Sequence, residues 1–345
     1  MTGPSSPLDR LPEPVRVYGP IAIAAGLLAL LPLRYSESGS MMSVITEGLV
    51  FAAYAVAFNI IFGSTGQLFL CVGALAGVGG FSSALLADRV GLPMIPAMVV
   101  AAIGAGLVGG LLSWVSVKRS LDTIFIGIIT LAFSLSFDNF ILGRRDLTGG
   151  ETGIFVDAGA DTLLRDRVPT YYVMLGLVVA YLLVFRLLQR SRTGWAFRAL
   201  RDDELSAELT GIDVTRYRVL AGFLGSAMLG FAGALLAHSG RGFIGPSTYA
   251  FGDTDVRVLV MLAFGGIGTL LGPVIGAAAL TWIDEVLVEY AQLRLVLYGV
   301  VIIALFLRFR RGIVPAATEW LARRRRPATV RRTDTARSAR QEITR

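Results

Sequence analysis

The sequence predicts an all-α polytopic integral membrane protein, and three observations carry that prediction. Hydrophobic residues make up 54% of the chain and charged residues 17%, with a mean hydropathy of +0.66, against the roughly 25% charge of a soluble domain. Apolar runs recur at close to the ~20 residues that a helix needs to cross a hydrocarbon core. The 40 glycines show no collagen period, and in an apolar background they point to closely packed membrane helices.

Taken in order, the apolar runs are Gly19 to Leu33, Met42 to Phe62, Leu68 to Ala87, Leu92 to Val117 and Thr123 to Leu142. Tyr171 to Leu188, Val219 to His238, Val256 to Trp282 and Leu293 to Leu307 follow. The first run follows a polar, Pro-rich segment and ends in Leu-Pro-Leu-Arg34 without a small-x-small site, which argues against a cleavable signal. Val256 to Trp282 is interrupted by Gly265, Gly266, Gly268, Gly272 and Pro273. It reads as a re-entrant hairpin, because irregular backbone at membrane depth is tolerated where protein or a water-filled cavity covers it.

Charge sets the expected orientation, since Lys and Arg accumulate in cytoplasmic loops. The segment Arg186 to Arg218 holds seven Arg, and Arg308 to Arg345 holds twelve, including the run Arg323 to Arg326. Eight full spans plus the hairpin put both termini and both Arg-rich segments inside, with 23 basic residues there and 9 outside. The expected organisation is a cytoplasmic segment at 1–16, a permease domain at 17–312 with a cytosolic loop at 190–218, and a disordered Arg-rich tail at 313–345. That tail lacks interleaved aromatics, so anionic lipid headgroups, not nucleic acid, are its expected partner.

Several chemistries are excluded. One His (His238) and one Cys (Cys71) cannot supply a His/Cys zinc site, and Cys71 has no intrachain disulfide partner. His238 falls where an apolar run meets a polar loop and is expected at the interface. Lys118 is the only lysine and sits in Val117-Lys-Arg-Ser120, so the chain has no Gly-x4-Gly-Lys-Ser/Thr phosphate loop. Neither a Gly-x-Ser-x-Gly elbow nor a His-Glu-x2-His site is present. The chain is therefore expected to be no enzyme and to bind no cofactor. If transport is driven by ATP, other subunits use it.

The most informative segment is the loop Ser191 to Arg218. Asp202 or Asp203 can cap a short helix there, and Gly211 suits the left-handed position past its end. Leu205, Leu209 and Ile212 share one face, and Arg198 can pair with Asp202 at i, i+4. Such a helix is suited either to dock in a groove on a soluble partner or to lie on the bilayer.

This loop resembles the coupling loop of ABC importer permeases, with its loose Glu-Ala-Ala-x3-Gly signature. The aligned residues here are Leu205, Ser206, Ala207 and Gly211, without the leading Glu. The wider block from Ala199 through Glu204 to Arg218, with Gly230-Phe-Ala-Gly-Ala-Leu235 and Gly242-Phe-Ile-Gly-Pro246, resembles the branched-chain (hydrophobic) amino acid permease family, on its LivM-like branch. Asn59-Ile-Ile-Phe-Gly-Ser-Thr-Gly-Gln67, Thr130-Leu-Ala-Phe133, Leu147-Thr-Gly-Gly150 and Leu262-Ala-Phe-Gly-Gly-Ile-Gly-Thr269 agree in order. The resemblance runs from about Thr46 to Pro315. It departs at Leu68-Phe-Leu-Cys-Val-Gly73, where the family commonly has Ser, Gly and His at the positions of Phe69, Cys71 and Val72. The closing Arg310-Arg311-Gly312 lacks the family's usual Pro.

The resemblance implies an importer with two cytosolic ABC ATPase subunits, a second permease subunit and an external solute-binding protein. Arg198, Arg201, Asp202, Asp203, Glu204, Leu205, Ser206, Ala207 and Gly211 would form the contact to the ATPase, with Arg198 and Arg201 ion-paired to its surface. A zwitterionic substrate needs polar partners at depth. The candidates are Asn59, Gln67, Gly265, Gly266 and Gly268, with Glu47, Asp138 and Asn139 nearer the span ends. Gly73/Gly77, Gly106/Gly110 and Gly272/Gly276 are read as helix-packing pairs. A stand-alone channel or gradient-driven carrier, and an ABC permease for urea, short amides or a sugar, are the alternatives.

Overall fold

The computed structural model describes residues 13–35, 37–156, 164, 166–239, 242–288, 290, 296, 299–300, 303, 307 and 312–325. The run Leu293 to Leu307 lies outside these residues apart from isolated positions. The helices are α1 (Glu13–Ala29), α2 (Leu31–Tyr35), α3 (Gly39–Phe58), α4 (Val72–Val90), α5 (Met94–Lys118) and α6 (Thr123–Gly143). Next come α7 (Arg145–Thr148), α8 (Arg167–Arg190), α9 (Arg192–Asp202), α10 (Glu204–Leu209) and α11 (Val214–Ala237). The last three are α12 (Phe251–Gly265), α13 (Gly272–Val288) and α14 (Ile313–Arg325). A two-residue antiparallel ladder, β1 (Ile154–Phe155) with β2 (Phe243–Ile244), ties together two loops at one end of the bundle.

Among the described residues six helical stretches are long and apolar enough to cross a membrane: 18–35, 39–63, 94–118, 123–143, 167–190 and 214–237. Helix α4 and the α12–α13 pair fall short on length or apolarity, so the eight-span count is not reached on these residues. The α3 stretch is 72% buried and the α6 stretch 28%, which puts α3 at the centre and α6 on the rim. Exposed Ile124, Phe125, Ile128 and Leu135 on α6 are the side chains expected to face lipid.

Close approach in the core depends on small residues. A Cβ at Gly79 would be driven into the backbone of Gly230, and one at Gly233 into the backbone of Ala76, so α4 and α11 meet main chain to main chain. On the next interface Gly109 faces Ser226 and Gly222 faces Ser113, which lets α5 approach α11.

Three boundaries differ from the sequence reading. The run Leu68 to Ala87 does not begin as a helix. Helix α3 ends in a π-helical turn at Asn59–Gly63, residues 66–71 carry no helix, and α4 starts at Val72. Other elements satisfy the freed backbone. Thr130, about two turns into α6, accepts the Leu70 amide at 2.9 Å, and Asp255 accepts the Gly73 amide at 3.1 Å. Phe69 and Cys71 are fully buried, so protein covers this break. The hairpin also differs. Its helices α12 and α13 are 15 and 17 residues long, about 22 and 25 Å, and its Gly-rich tip meets α9. Its helices extend beyond the run Val256 to Trp282 at both ends, and it reaches far enough to bring its tip to the α9 end of the bundle. Finally, the tail begins in a helix, α14, whose Pro315 packs against Gly266 at the hairpin tip. Helix α14 covers 313–325, where the hairpin tip gives Pro315 a surface to pack on; the rest of the expected tail, 326–345, lies outside the described residues.

Candidate functional site

Among the described residues, polar side chains gather in the α9–α10 segment with the hairpin tip and in a cavity at the other end of α3.

The segment is built by caps. Ser191 caps α9 by accepting the Gly194 amide at 3.1 Å. Asp203 breaks the helix with extended backbone and caps α10, accepting the Ser206 amide at 3.1 Å and the Ser206 hydroxyl at 2.8 Å. Gly211 ends it in the left-handed region at φ +88°, where a side chain would be strained. Asp213 then caps α11 through the Arg216 amide. The Asp203 carboxyl is held below the usual carboxylate range, first by its bond from the Ser206 backbone amide. A folded value depressed below the unfolded one gives a contribution that is complete above ~pH 4 and is lost as pH falls through the depressed value. Protection of the Ser206 amide is therefore expected to stay constant from about pH 5 to 8. Asp203→Ala should reduce it throughout, as amide hydrogen exchange would read.

On this frame Leu205 and Leu209 stand 66% and 81% exposed while Ala207 is buried, so two leucines of the predicted face project outward together. Glu204 points inward, to a 2.8 Å ion pair with the buried Arg218 of α11. Arg198 does not pair with Asp202. Its guanidinium lies 4.5 Å from the Trp195 ring centre and donates to the Gln189 carbonyl at 3.1 Å. Arg201 is exposed and also reaches the membrane part. It donates to the carbonyl of Gly63 in the π-turn, beside Gly268, because that buried carbonyl lies within its reach.

The polar residues read as pathway candidates are used on backbone. Asn59 is fully buried. Its Oδ1 accepts the Gly268 amide at 2.8 Å and its Nδ2 donates to the Thr269 carbonyl at 2.9 Å. It is a two-point clamp on the hairpin tip. Gln189 donates to the Gly268 carbonyl at 3.3 Å. Gly266 and Gly268 have φ of +122° and +78° and make the turn, while Gly265 packs against the backbone of Gly272. Gln67 lies apart from this clamp and donates to Thr65 and to the Arg218 carbonyl. None of these five residues lines the cavity.

The cavity, about 670 Å³, lies between the start of α3, the start of α8, the end of α11 and the start of α12. Glu47 does line it, 3.7 Å from Arg257, which also pairs with Asp284 at 3.2 Å. Asp138 accepts the Phe251 amide at 3.3 Å, and exposed Asn139 bonds its own helix at the Leu135 carbonyl. His238 is buried at the end of α11. Sequence reasoning missed Arg257, Tyr54 and Asp255. The charge cluster Asp253-Thr-Asp255-Val-Arg257 at the head of an apolar run was the available signal. Asp255 is 1% exposed and joins α12 to the start of α4 and to Ser134 at 3.2 Å.

Comparison with known proteins places this geometry. Residues 40–307 match the family model described as branched-chain amino acid transport system, permease component. The chain is 26% identical over 319 residues to the high-affinity branched-chain amino acid transport system permease protein LivM of Salmonella typhimurium, covering 84% of this chain and 74% of the relative. The same values hold for LivM of Escherichia coli K12. The high-affinity branched-chain amino acid transport system permease protein BraD of Pseudomonas aeruginosa is 23% identical over 266 residues, covering 72% of this chain and 86% of that one. No solved structure matches the chain. With a family match over most of its length, this multi-pass membrane protein belongs to the branched-chain amino acid transport system permease family.

Proposed function

We propose that this chain is one permease subunit of an ATP-driven importer for branched-chain and other hydrophobic amino acids, and that α9–α10 is the element through which separate ATPase subunits move it. The observation that carries the reading is the exposed pair Leu205 and Leu209 on a helix capped at both ends. An apolar pair on a braced peg supports docking into a groove of a soluble protein. The peg is joined to the membrane part at two points, through Glu204 to Arg218 on α11 and through Arg201 to the Asn59–Gly268 clamp. A push on α10 would thus reach α3, α11 and the α12–α13 hairpin together. In this reading the α9–α10 end is cytosolic, as are both termini. Two ATPase subunits, a second permease subunit and an external solute-binding protein complete the importer, and ATP is bound by the ATPase subunits alone.

Gly211→Val tests the assignment. No atom lies within 4 Å of a Cβ built at Gly211, so the cost is backbone strain of about 1–2 kcal/mol confined to the end of α10. The subunit should insert and assemble normally. Leucine uptake in proteoliposomes should fall about tenfold while the ATPase subunits continue to hydrolyse ATP. Uptake at the unmodified rate in an intact complex would remove α10 as the coupling element.

A further inference from the structure

The cavity at the far end of α3 is not explained by packing. Its wall carries acidic Glu47 and Asp253 and basic Arg167 and Arg257, so its formal charge balances, and Glu47 meets Arg257 only at 3.7 Å. That pattern suits a zwitterion better than an anion, a cation or a neutral sugar. Its size falls in the usual range of small-molecule sites. Deeper in, the wall turns apolar at Val50 and Leu236 and includes Tyr54, whose hydroxyl is buried with no hydrogen-bond partner. Leaving a buried hydroxyl unpaired is costly, and a bound polar group would supply the missing partner.

Arg257 is presented in a particular way. Its Nη2 is held by Asp284 at 3.2 Å, its guanidinium stands 5.6 Å from the Phe51 ring centre, and its Nη1 lies 3.7 Å from Glu47. One side of the fork is anchored, and the other makes a long contact that a better-placed carboxylate can take over. We propose that the α-carboxylate of an amino acid binds Nη1 of Arg257 while its α-ammonium binds Glu47. The substrate thereby inserts into this ion pair and turns its apolar side chain toward Val50 and Leu236. Each ion of the pair exchanges one partner for another, so the charged groups are not left bare. The cavity is set at the opposite end of α3 from Gly63 and Arg201. If that latter end is cytosolic, the site is the external one, where a binding protein would release its cargo. The inference rests on the importer reading above.

A thiol placed in the cavity tests it. Cys71, the only cysteine, is buried, so Ser43→Cys supplies one reactive position on the wall. The complete importer in proteoliposomes would be treated from outside with a cationic methanethiosulfonate, and leucine uptake would be measured in parallel on the unsubstituted complex. Leucine should slow labelling at least tenfold, whereas leucinol, lacking the carboxylate, and isocaproate, lacking the ammonium, should not. Arg257→Lys, which keeps the charge and removes the fork, should raise the leucine concentration needed for half-protection about tenfold. A thiol that never labels, labelling that leucine does not slow, or equal protection by all three compounds would each overturn the site. Protection by leucine without any leucine uptake by the unsubstituted complex would keep the site and overturn the importer reading instead.

Discussion

Gly233→Leu is expected to prevent assembly of the helix core. A Cβ at this position runs into the carbonyl of Ala76 on α4, and the obstacle is backbone, which no rotamer change can clear. Helices α4 and α11 would have to separate along their whole contact, and with them the α5 face that packs against α11 through Gly109 and Gly222. Overpacking a core costs about 1–3 kcal/mol when side chains can adjust, and a main-chain collision belongs at the upper end of that range. Gly104→Ala is the matched control, since no atom lies within 4 Å of its built Cβ and the residue is inside α5. There the exchange removes a helix-interior glycine and should be neutral or slightly stabilising. Thermal unfolding of the detergent-solubilised protein distinguishes them. A G233L protein that melts with the unsubstituted chain would show that α4 and α11 do not meet as described.

Arg201→Ala should leave the fold standing and stop transport. Arg201 supplies the direct bond between α9 and the π-turn that ends α3, at the point where Asn59 grips the hairpin tip. A charge-assisted hydrogen bond of this kind is worth about 1.5–3 kcal/mol. The α9 helix keeps its Ser191 cap, and α10 keeps Asp203 and the Glu204–Arg218 pair, so the segment itself survives. Uptake is expected to fall ten- to a hundredfold with ATP hydrolysis by the complex reduced much less. Arg201→Lys should recover part of the loss, because a single ammonium donor can still reach one carbonyl. Equal loss of uptake and hydrolysis would assign Arg201 to assembly. Unchanged uptake would mean that the Arg201–Gly63 bond is not part of the proposed coupling route.

Much of the α9–α10 segment was legible in the chain because caps and turns are local. Asp203, Gly211 and the leucine face are encoded within a few residues of one another, and each has a fixed backbone consequence. What the chain left open was which partner a polar side chain reaches. Asn59 and Gln67 were read as pathway groups because polar atoms at membrane depth are costly. Their partners are the hairpin backbone at Gly268 and Thr269 and the carbonyl of Arg218, and nothing near Asn59 or Gln67 in the chain announces them. The resemblance put Arg201 against an ATPase surface, and its bond to the Gly63 carbonyl is equally remote in sequence. The helix start predicted at Leu68 failed. An apolar run looks the same whether it is helical or not, and Thr130, which takes the Leu70 amide, and Asp255, which takes the Gly73 amide at the start of α4, are remote in sequence.

By itself the sequence determined that this chain lives in lipid, that it has no nucleotide-binding loop of its own, and that it carries a short capped helix between two spans. Those properties follow from composition, from the absence of required residues and from contacts only a few positions apart. Tertiary structure decided which polar groups are spent on buried backbone and which face open space, and it alone joined Glu47 to Arg257 and Arg201 to Gly63. The physical reason is that a buried polar group must find a partner wherever the packed helices bring one, and at separations of more than a hundred residues only the packing specifies which.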